Sequence, residues 1–179
     1  MRSQPSITLA LPACAALLSA CGGEDQRVSD PAPQLRETTV LTDTNPDPAI
    51  VEVELVAGIS TTEYLKDKPT EIWAYRDGAL ADSQGTVPGP MLRAKVGDQV
   101  IVHFRNELPS DETTIHWHGV RVPPDMDGAT VSQSPILPGA SFDYVFTAPD
   151  ASSFWYHPHV RADQQIEHGL YAPLVVTGD

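Results

Sequence analysis

The chain has 179 residues, with 11 Lys and Arg against 24 Asp and Glu, so its formal net charge is −13 at pH 7. This acidity argues against nucleic acid and anionic membrane surfaces as partners, because like charges repel. The 17 prolines and 12 glycines favour a turn-rich, all-β protein over a helical one.

Residues 1–20 are predicted to be a signal peptide. A single charge, Arg2, precedes an apolar run over 7–20 that is too short and too interrupted by proline to span a bilayer. The run ends in Leu-Ser-Ala-Cys, which resembles the bacterial lipobox. We therefore expect export to the periplasm or cell surface, with the membrane contacted only through a lipid on Cys21. The alternative is an ordinary signal peptide with a chance cysteine.

The next segment, residues 21–49, is polar, acidic and punctuated by proline, and is predicted to be a tether. A globular domain is predicted over residues 50–179. Cys14 and Cys21 are the two cysteines of the sequence. The predicted domain therefore has no disulfide and no thiolate metal ligand.

Short alternating segments follow one another through the predicted domain. The pattern over 97–108 places Val100, Val102 and Phe104 on one face of a strand, and no segment has a long repeat of 3.6 residues. About eight short strands are expected, at the spacing of a β-sandwich. The clearest candidates are 50–58, 71–78, 97–108, 135–149, 153–159 and 169–179.

Two His-x-His pairs are the chemical feature of the sequence: His116 with His118, and His157 with His159. Side chains two apart on a strand share a face, at a Cα separation of about 6.6 Å. The intervening Trp117 is then expected to point into the core. One such pair usually has no function, but two pairs among aromatic residues predict a metal site. Imidazole ligands favour copper, with zinc or nickel possible.

Two further histidines are expected to be less important. His103 lies on the strand face opposite Val100 and Val102, and a solvated histidine is the interpretation we favour for it. His168 precedes Gly169 and could lie near the metal site, although the pattern gives this little support.

The motifs around these pairs resemble those of multicopper oxidases, the laccase-like blue copper enzymes. The sequences HWHG at 116–119 and WYHPH at 155–159 are similar to the first two copper motifs of that family, and VPGP at 87–90 is similar to the entry into its first domain. The resemblance covers residues 50–179. It implies a single N-terminal cupredoxin-like domain, folded as an all-β Greek-key β-sandwich or barrel.

The resemblance also implies roles for individual residues. His116 corresponds to a ligand of the type 2 copper, and His118, His157 and His159 correspond to ligands of the type 3 coppers. Asp127 corresponds to an acidic residue that relays protons during oxygen reduction. For Asp127 the alternative is a turn aspartate before a glycine.

The resemblance implies a missing part as well. A trinuclear centre of this family takes eight histidines, and the type 1 copper takes a cysteine from a His-Cys-His motif, whereas no cysteine follows residue 21. The expected partner is a C-terminal cupredoxin domain or a separate chain that carries the motif. Three interpretations stay open: an oxidase module inactive alone, a stand-alone copper-binding lipoprotein, and an interaction domain with vestigial ligands.

Overall fold

The computed structural model describes residues 38–178. Eight strands, one turn of 3-10 helix at Pro124–Met126 and one short α-helix make up its regular structure. The strands are β1 (Ile50–Leu65), β2 (Lys68–Asp77), β3 (Leu92–Lys95), β4 (Gln99–Asn106), β5 (His116–His118), β6 (Ser141–Thr147), β7 (Ser152–His157) and β8 (Ala172–Thr177), and the helix is α1 (Ala162–His168).

The strands form two four-stranded sheets, in the orders β2-β1-β4-β6 and β3-β8-β7-β5. From β2 to β7 the chain changes sheet at every step, so apart from β1 with β2 and β7 with β8 the neighbours in a sheet are not consecutive in sequence. Two pairings are parallel, β1 with β4 and β3 with β8, and the other four are antiparallel. This topology confirms the predicted all-β, cupredoxin-like Greek-key sandwich.

The core lies between the sheets, where alternate side chains of both sheets meet. Val100, Val102 and Phe104 of β4 are fully buried, which confirms the face predicted for them. Trp117 of β5 and Tyr156 of β7 are buried from the opposite sheet, with their ring centroids 5.7 Å apart. These two aromatic side chains pack on the core side of the short strand that carries the first histidine pair.

Residues 38–49 pack against the sandwich, although the sequence placed them in a tether. Leu41 is buried, and its backbone N–H donates to the carbonyl of Met91 at 2.9 Å. The N–H of Thr42 donates to Asp77 Oδ2 at 2.8 Å. Residues 38–49 therefore pack as part of the globular domain, which the sequence predicted to begin at residue 50. A single buried leucine held by backbone hydrogen bonds leaves no periodic pattern in a sequence.

The predicted signal peptide, Cys21 and the first part of the predicted tether lie outside the described residues. Over residues 38–178, no helix is both long enough and apolar enough to cross a membrane.

The α1 helix was not predicted. It has seven residues, which is too short for a periodic pattern, and it follows Arg161 in the left-handed region at φ 41°. It ends at Gly169, where φ is 121° and an added Cβ would lie 2.7 Å from the carbonyl oxygen of Trp73. Glycine is required there, and it lets the chain turn directly from α1 into β8.

Candidate metal centre

The two His-x-His pairs come together through the pairing of β5 with β7. The strands are antiparallel, and His116 lies directly opposite His157, with His118 opposite Trp155. Because side chains alternate, these four residues share one face of the sheet, while Trp117 and Tyr156 fill the other. The predicted inward orientation of Trp117 is confirmed. β5 is an edge strand, so the histidines lie at the rim of the sandwich.

The four imidazoles form one compact cluster. The rings of His116 and His159 stack, with centroids 4.0 Å apart and planes 24° apart. The ring of His157 lies 5.3 Å from that of His116 and 5.5 Å from that of His159. On its other side, His157 Nε2 faces His118 Nδ1 at 3.2 Å. All four predicted histidines are thus neighbours in the structure.

Backbone carbonyls orient two of the rings. His116 Nδ1 lies 2.9 Å from the carbonyl oxygen of Asp127, and His157 Nδ1 lies 3.0 Å from that of Pro158. A ring whose Nδ1–H donates to a carbonyl keeps its lone pair on Nε2, which is the usual arrangement for a metal-binding histidine.

The surroundings favour the uncharged form of two of the imidazoles, those of His157 and His159. His157 is 5% exposed, and burial lowers its pKa to about 4, with the neighbouring histidines contributing. Partial desolvation is also the largest cause of a lowered pKa at His159, which is more exposed than His157. Neutral imidazole is the form that binds a metal ion, so His157 and His159 can ligate at neutral pH without losing a proton.

The spacing of the nitrogens fits a metal ion. Two nitrogens that each lie about 2.0–2.1 Å from one ion in tetrahedral geometry are about 3.3 Å apart, and His118 Nδ1 and His157 Nε2 are 3.2 Å apart. One ring nitrogen from each of His116, His157 and His159 lies within 4.8 Å of the other two. Imidazole donors without a thiolate suit copper, and the residues present therefore fit that metal.

Asp127 lies beside the cluster. Besides its carbonyl contact, its Oδ1 is 3.2 Å from His116 Nδ1, and its side chain is 31% exposed. The next residue, Gly128, has φ 73°, and an added Cβ would lie 2.0 Å from the carbonyl oxygen of Ile115. A glycine therefore lets the Asp127 loop approach β5 closely enough to contact the His116 ring.

Three residues that contact the cluster or its supporting segments were missed or underestimated in the sequence. Trp155 stacks on His157, with ring centroids 4.0 Å apart, and the i, i+2 alternation of a strand could have revealed this. Thr114 accepts a hydrogen bond from the backbone of His159 at 3.1 Å. Gln165 is a buried residue of α1. The contacts of Thr114 and Gln165 cross 45 and 53 residues and leave no local signal.

The other two described histidines have different surroundings. His103 is not simply solvated, as predicted, since its Nε2 lies 2.8 Å from Glu52 Oε1 and its Nδ1 lies 2.9 Å from Asp143 Oδ1. The hydrogen bond with Glu52, and then that with Asp143, raises the pKa of His103. His168 stacks on Trp73, with ring centroids 4.8 Å apart.

Comparison with known sequences places the chain among copper proteins, in agreement with the histidine cluster. Residues 66–179 match the family model described as multicopper oxidase. The chain is 47% identical over 91 residues to the multicopper oxidase MmcO of Mycobacterium tuberculosis, covering 51% of this chain and 18% of that protein. It is 39% identical over 122 residues to copper resistance protein A of Pseudomonas syringae pv. tomato, covering 66% of this chain and 19% of that protein.

Solved structures of multicopper oxidases resemble this fold. A multicopper oxidase from Pseudomonas thermotolerans superposes with a TM-score of 0.66 at 43% identity, over 72% of this chain and 30% of that one. A multicopper oxidase from Campylobacter jejuni, described as a metallo-oxidase, superposes with a TM-score of 0.70 at 32% identity, over 81% of this chain and 29% of that one. The chain spans less than a fifth of the length of these two curated relatives.

Proposed function

The chain belongs to the multicopper oxidase family, and on that premise we propose that it supplies one half of a trinuclear copper site. The observation that carries the proposal is the convergence of all four histidines of the two His-x-His pairs into one cluster at the β5–β7 rim. When bound, copper would supply electron transfer to O₂, which is reduced to water while a substrate is oxidised one electron at a time.

We assign the ligands as the family resemblance implies. His116 would bind the type 2 copper, and His118, His157 and His159 would bind type 3 coppers. The 3.2 Å approach of His118 Nδ1 to His157 Nε2 supports a shared ion for that pair. The carbonyls of Asp127 and Pro158 would hold two of the rings in the ligating orientation.

Asp127 would handle protons at the rim of the site. Its carboxylate lies next to the His116 ring, and its partial exposure gives it access to solvent. A carboxylate in that place is able to take a proton from water and hold it close to the site where oxygen is reduced. Asp127→Asn keeps the carbonyl contact with His116 and removes the proton acceptor. In the completed enzyme we expect a lower kcat and unchanged copper content; an unchanged kcat would contradict this role.

The proposed partner supplies what the sequence lacks. No cysteine follows residue 21, so the type 1 copper and the remaining histidines would come from a cupredoxin domain with a His-Cys-His motif, in the same protein or in a partner chain. The cluster has a suitable open side, because β5 is an edge strand and both His118 and His159 are exposed.

Reconstitution tests this function. The copper-loaded chain is mixed with a copper-loaded cupredoxin domain that carries the motif, taken from a related multicopper oxidase, and oxygen uptake is followed with a phenol and with Cu(I) as substrates. We expect uptake from the mixture and none from either component. The control is the His157→Ala/His159→Ala variant, which should not restore uptake. Absence of uptake from a mixture that forms a complex would count against the proposal.

A second function is supported by a separate observation. Three histidines of this single chain already bring their nitrogens within 4.8 Å of one another, so the chain could bind and buffer copper by itself. This function predicts tight Cu(II) binding by the isolated chain, lost in the His157→Ala/His159→Ala variant. Tight binding without reconstituted oxygen uptake would favour copper buffering.

The location of the protein is also a proposal. Export with a lipid on Cys21 would place the domain in the periplasm or at the cell surface, where copper and oxygen are both accessible. Labelling of cells with radioactive palmitate should mark the wild-type protein and leave a Cys21→Ser variant unmarked. Equal labelling of the two would contradict the lipid anchor.

A further inference from the structure

A buried polar seam joins the two chain segments that carry the histidine pairs. We define the seam by three residues: Thr113 and Thr114, which precede β5, and Gln165 of α1. The side chains of Thr113 and Thr114 are fully buried, and Gln165 is 1% exposed. Polar side chains are rarely buried so deeply unless specific hydrogen bonds hold them.

Gln165 binds the segment before β5 through both ends of its amide. Its Nε2 donates to the carbonyl of Glu112 at 2.9 Å, and its Oε1 accepts from the hydroxyl of Thr113 at 2.7 Å. The backbone carbonyl of Gln165 also accepts from the N–H of Leu170 at 3.0 Å. The two side-chain bonds fix α1 against the residues that lead into β5, and the backbone bond joins α1 to the segment before β8.

Thr114 binds the other end of the same connection. Its Oγ1 accepts a hydrogen bond from the backbone N–H of His159 at 3.1 Å. His159 lies beyond the end of β7 at His157, so the pairing of β5 with β7 does not set its position. Its imidazole nevertheless stacks on that of His116 at 4.0 Å, which requires its backbone to be held by other contacts.

We propose that Thr114 and Gln165 are positioning residues, which set the distance and angle between the imidazoles of His159 and His116. Gln165 fixes α1, and Thr114 fixes the loop between β7 and α1, so His159 is held from both sides. Neither residue would touch the metal ion. The proposal rests on the proposed copper function, because it concerns the ligand geometry of that site.

Substitution at Thr114 tests the proposal. Thr114→Val keeps the shape of the side chain and removes the hydroxyl that accepts from His159, whereas Thr114→Ser keeps a hydroxyl. Removal of a group that hydrogen-bonds to a ligating side chain typically lowers metal affinity by about 10–100-fold, and Thr114, which acts through the backbone of His159, should lie at the lower end of that range. We therefore expect Thr114→Val to weaken Cu(II) binding by about tenfold and to shift the EPR spectrum of the bound Cu(II), and Thr114→Ser to restore both.

The experiment uses the full 179-residue chain and Cu(II) as the probe, with circular dichroism to verify folding. Ser60→Ala is the matched control, because it also removes a hydroxyl that hydrogen-bonds to a backbone group far from it in sequence: Ser60 of β1 donates to the carbonyl of Gly85 at 3.0 Å. We expect this control to leave the Cu(II) affinity and the EPR spectrum unchanged.

The outcomes separate this inference from the proposed function. If wild-type protein binds no Cu(II), either alone or in the mixture with the partner cupredoxin domain, both the proposed function and this inference are overturned. If wild type binds but a folded Thr114→Val variant has the wild-type affinity and spectrum, this inference alone is overturned. If Thr114→Val does not fold, Gln165→Met replaces it, and a folded Gln165→Met variant with an unchanged spectrum overturns the inference in the same way.

Discussion

His157 and His103 show how two surroundings give one residue type opposite properties. His157 is buried among three other histidines, and burial lowers its pKa to about 4. His103 lies on the other sheet between Glu52 and Asp143, and the hydrogen bond with Glu52 is the largest cause of its raised pKa. The first is a neutral imidazole at pH 7, and the second is stabilised as an imidazolium.

The difference separates a proposed metal ligand from an ion-pair partner. The neutral ring of His157 keeps a lone pair, and its Nε2 faces another ring nitrogen at 3.2 Å. An imidazolium at His103 would donate from both ring nitrogens to carboxylates, which leaves no lone pair for a metal ion. The partners of a histidine's two nitrogens therefore reveal more about its role than its position in a motif.

The largest effect that we expect distinguishes the two histidines by copper affinity. His157→Gln should weaken Cu(II) binding by at least about 100-fold, since losing a ligand costs no less than the 10–100-fold typical of its hydrogen-bond partners. His103→Gln should leave the affinity unchanged. Titration of both variants against a competing chelator measures the difference. Similar losses of Cu(II) affinity in both variants would contradict the inference that His157, and not His103, binds the metal.

A substitution next to the cluster should have the next largest effect. Gly128→Ala places a Cβ 2.0 Å from the carbonyl oxygen of Ile115 at a positive φ, and should reduce the free energy of unfolding by about 1–3 kcal/mol. The matched control is Gly139→Ala, where φ is also positive but nothing lies within 4 Å of the added Cβ.

Urea denaturation of the two glycine variants measures this difference. The loss should be clearly greater for Gly128→Ala, and its Cu(II) affinity should also fall, because the loop that orients His116 would move. Equal losses would show that the conformational strain dominates and that the close approach to Ile115 is unimportant.

The sequence was sufficient for features that depend on alternation within one strand. The buried face of Val100, Val102 and Phe104 and the inward direction of Trp117 follow from the two-residue period alone. The four histidines were identified as a group by their repeated spacing. These predictions require only local geometry, which a strand imposes on any sequence.

The features that the sequence did not show depend on distant contacts. The partner Glu52 of His103 lies 51 residues away, and the hydrogen bond from Gln165 to Glu112 spans 53 residues. Burial of Leu41 likewise depends on backbone bonds to Met91, 50 residues along the chain. Such contacts arise from the order of strands in the sheets, which no local pattern specifies.

The histidine cluster should also make the metal-free protein less stable in acid. At His157 the folded pKa of about 4 lies below the ordinary value near 6.5, so the unfolded chain binds more protons between these two pH values. Stability should therefore fall by on the order of 1–2 kcal/mol as the pH decreases from about 6.5 to 4. Urea denaturation across this range should give a flatter dependence for His157→Gln. A dependence as steep as that of wild type would contradict this contribution.

The smallest effect, at His103, should have the opposite sign. Its folded pKa is raised, so the folded chain holds the proton more tightly, and the stabilisation is complete below about pH 6.5 and is lost as the pH rises through the folded value. The pKa of Glu52 is lowered by the same contact, so its contribution is lost as the pH falls below its ordinary range near 4.5.

The Glu52–His103 pair should therefore stabilise the fold most between about pH 4.5 and 6.5. Because both groups are partly exposed, the effect should be small. Urea denaturation at pH 5.5 and 8.5 should show that His103→Gln loses more stability, relative to wild type, at the lower pH. The reverse order would mean that His103 is neutral in the folded protein, and the contrast with His157 would then disappear.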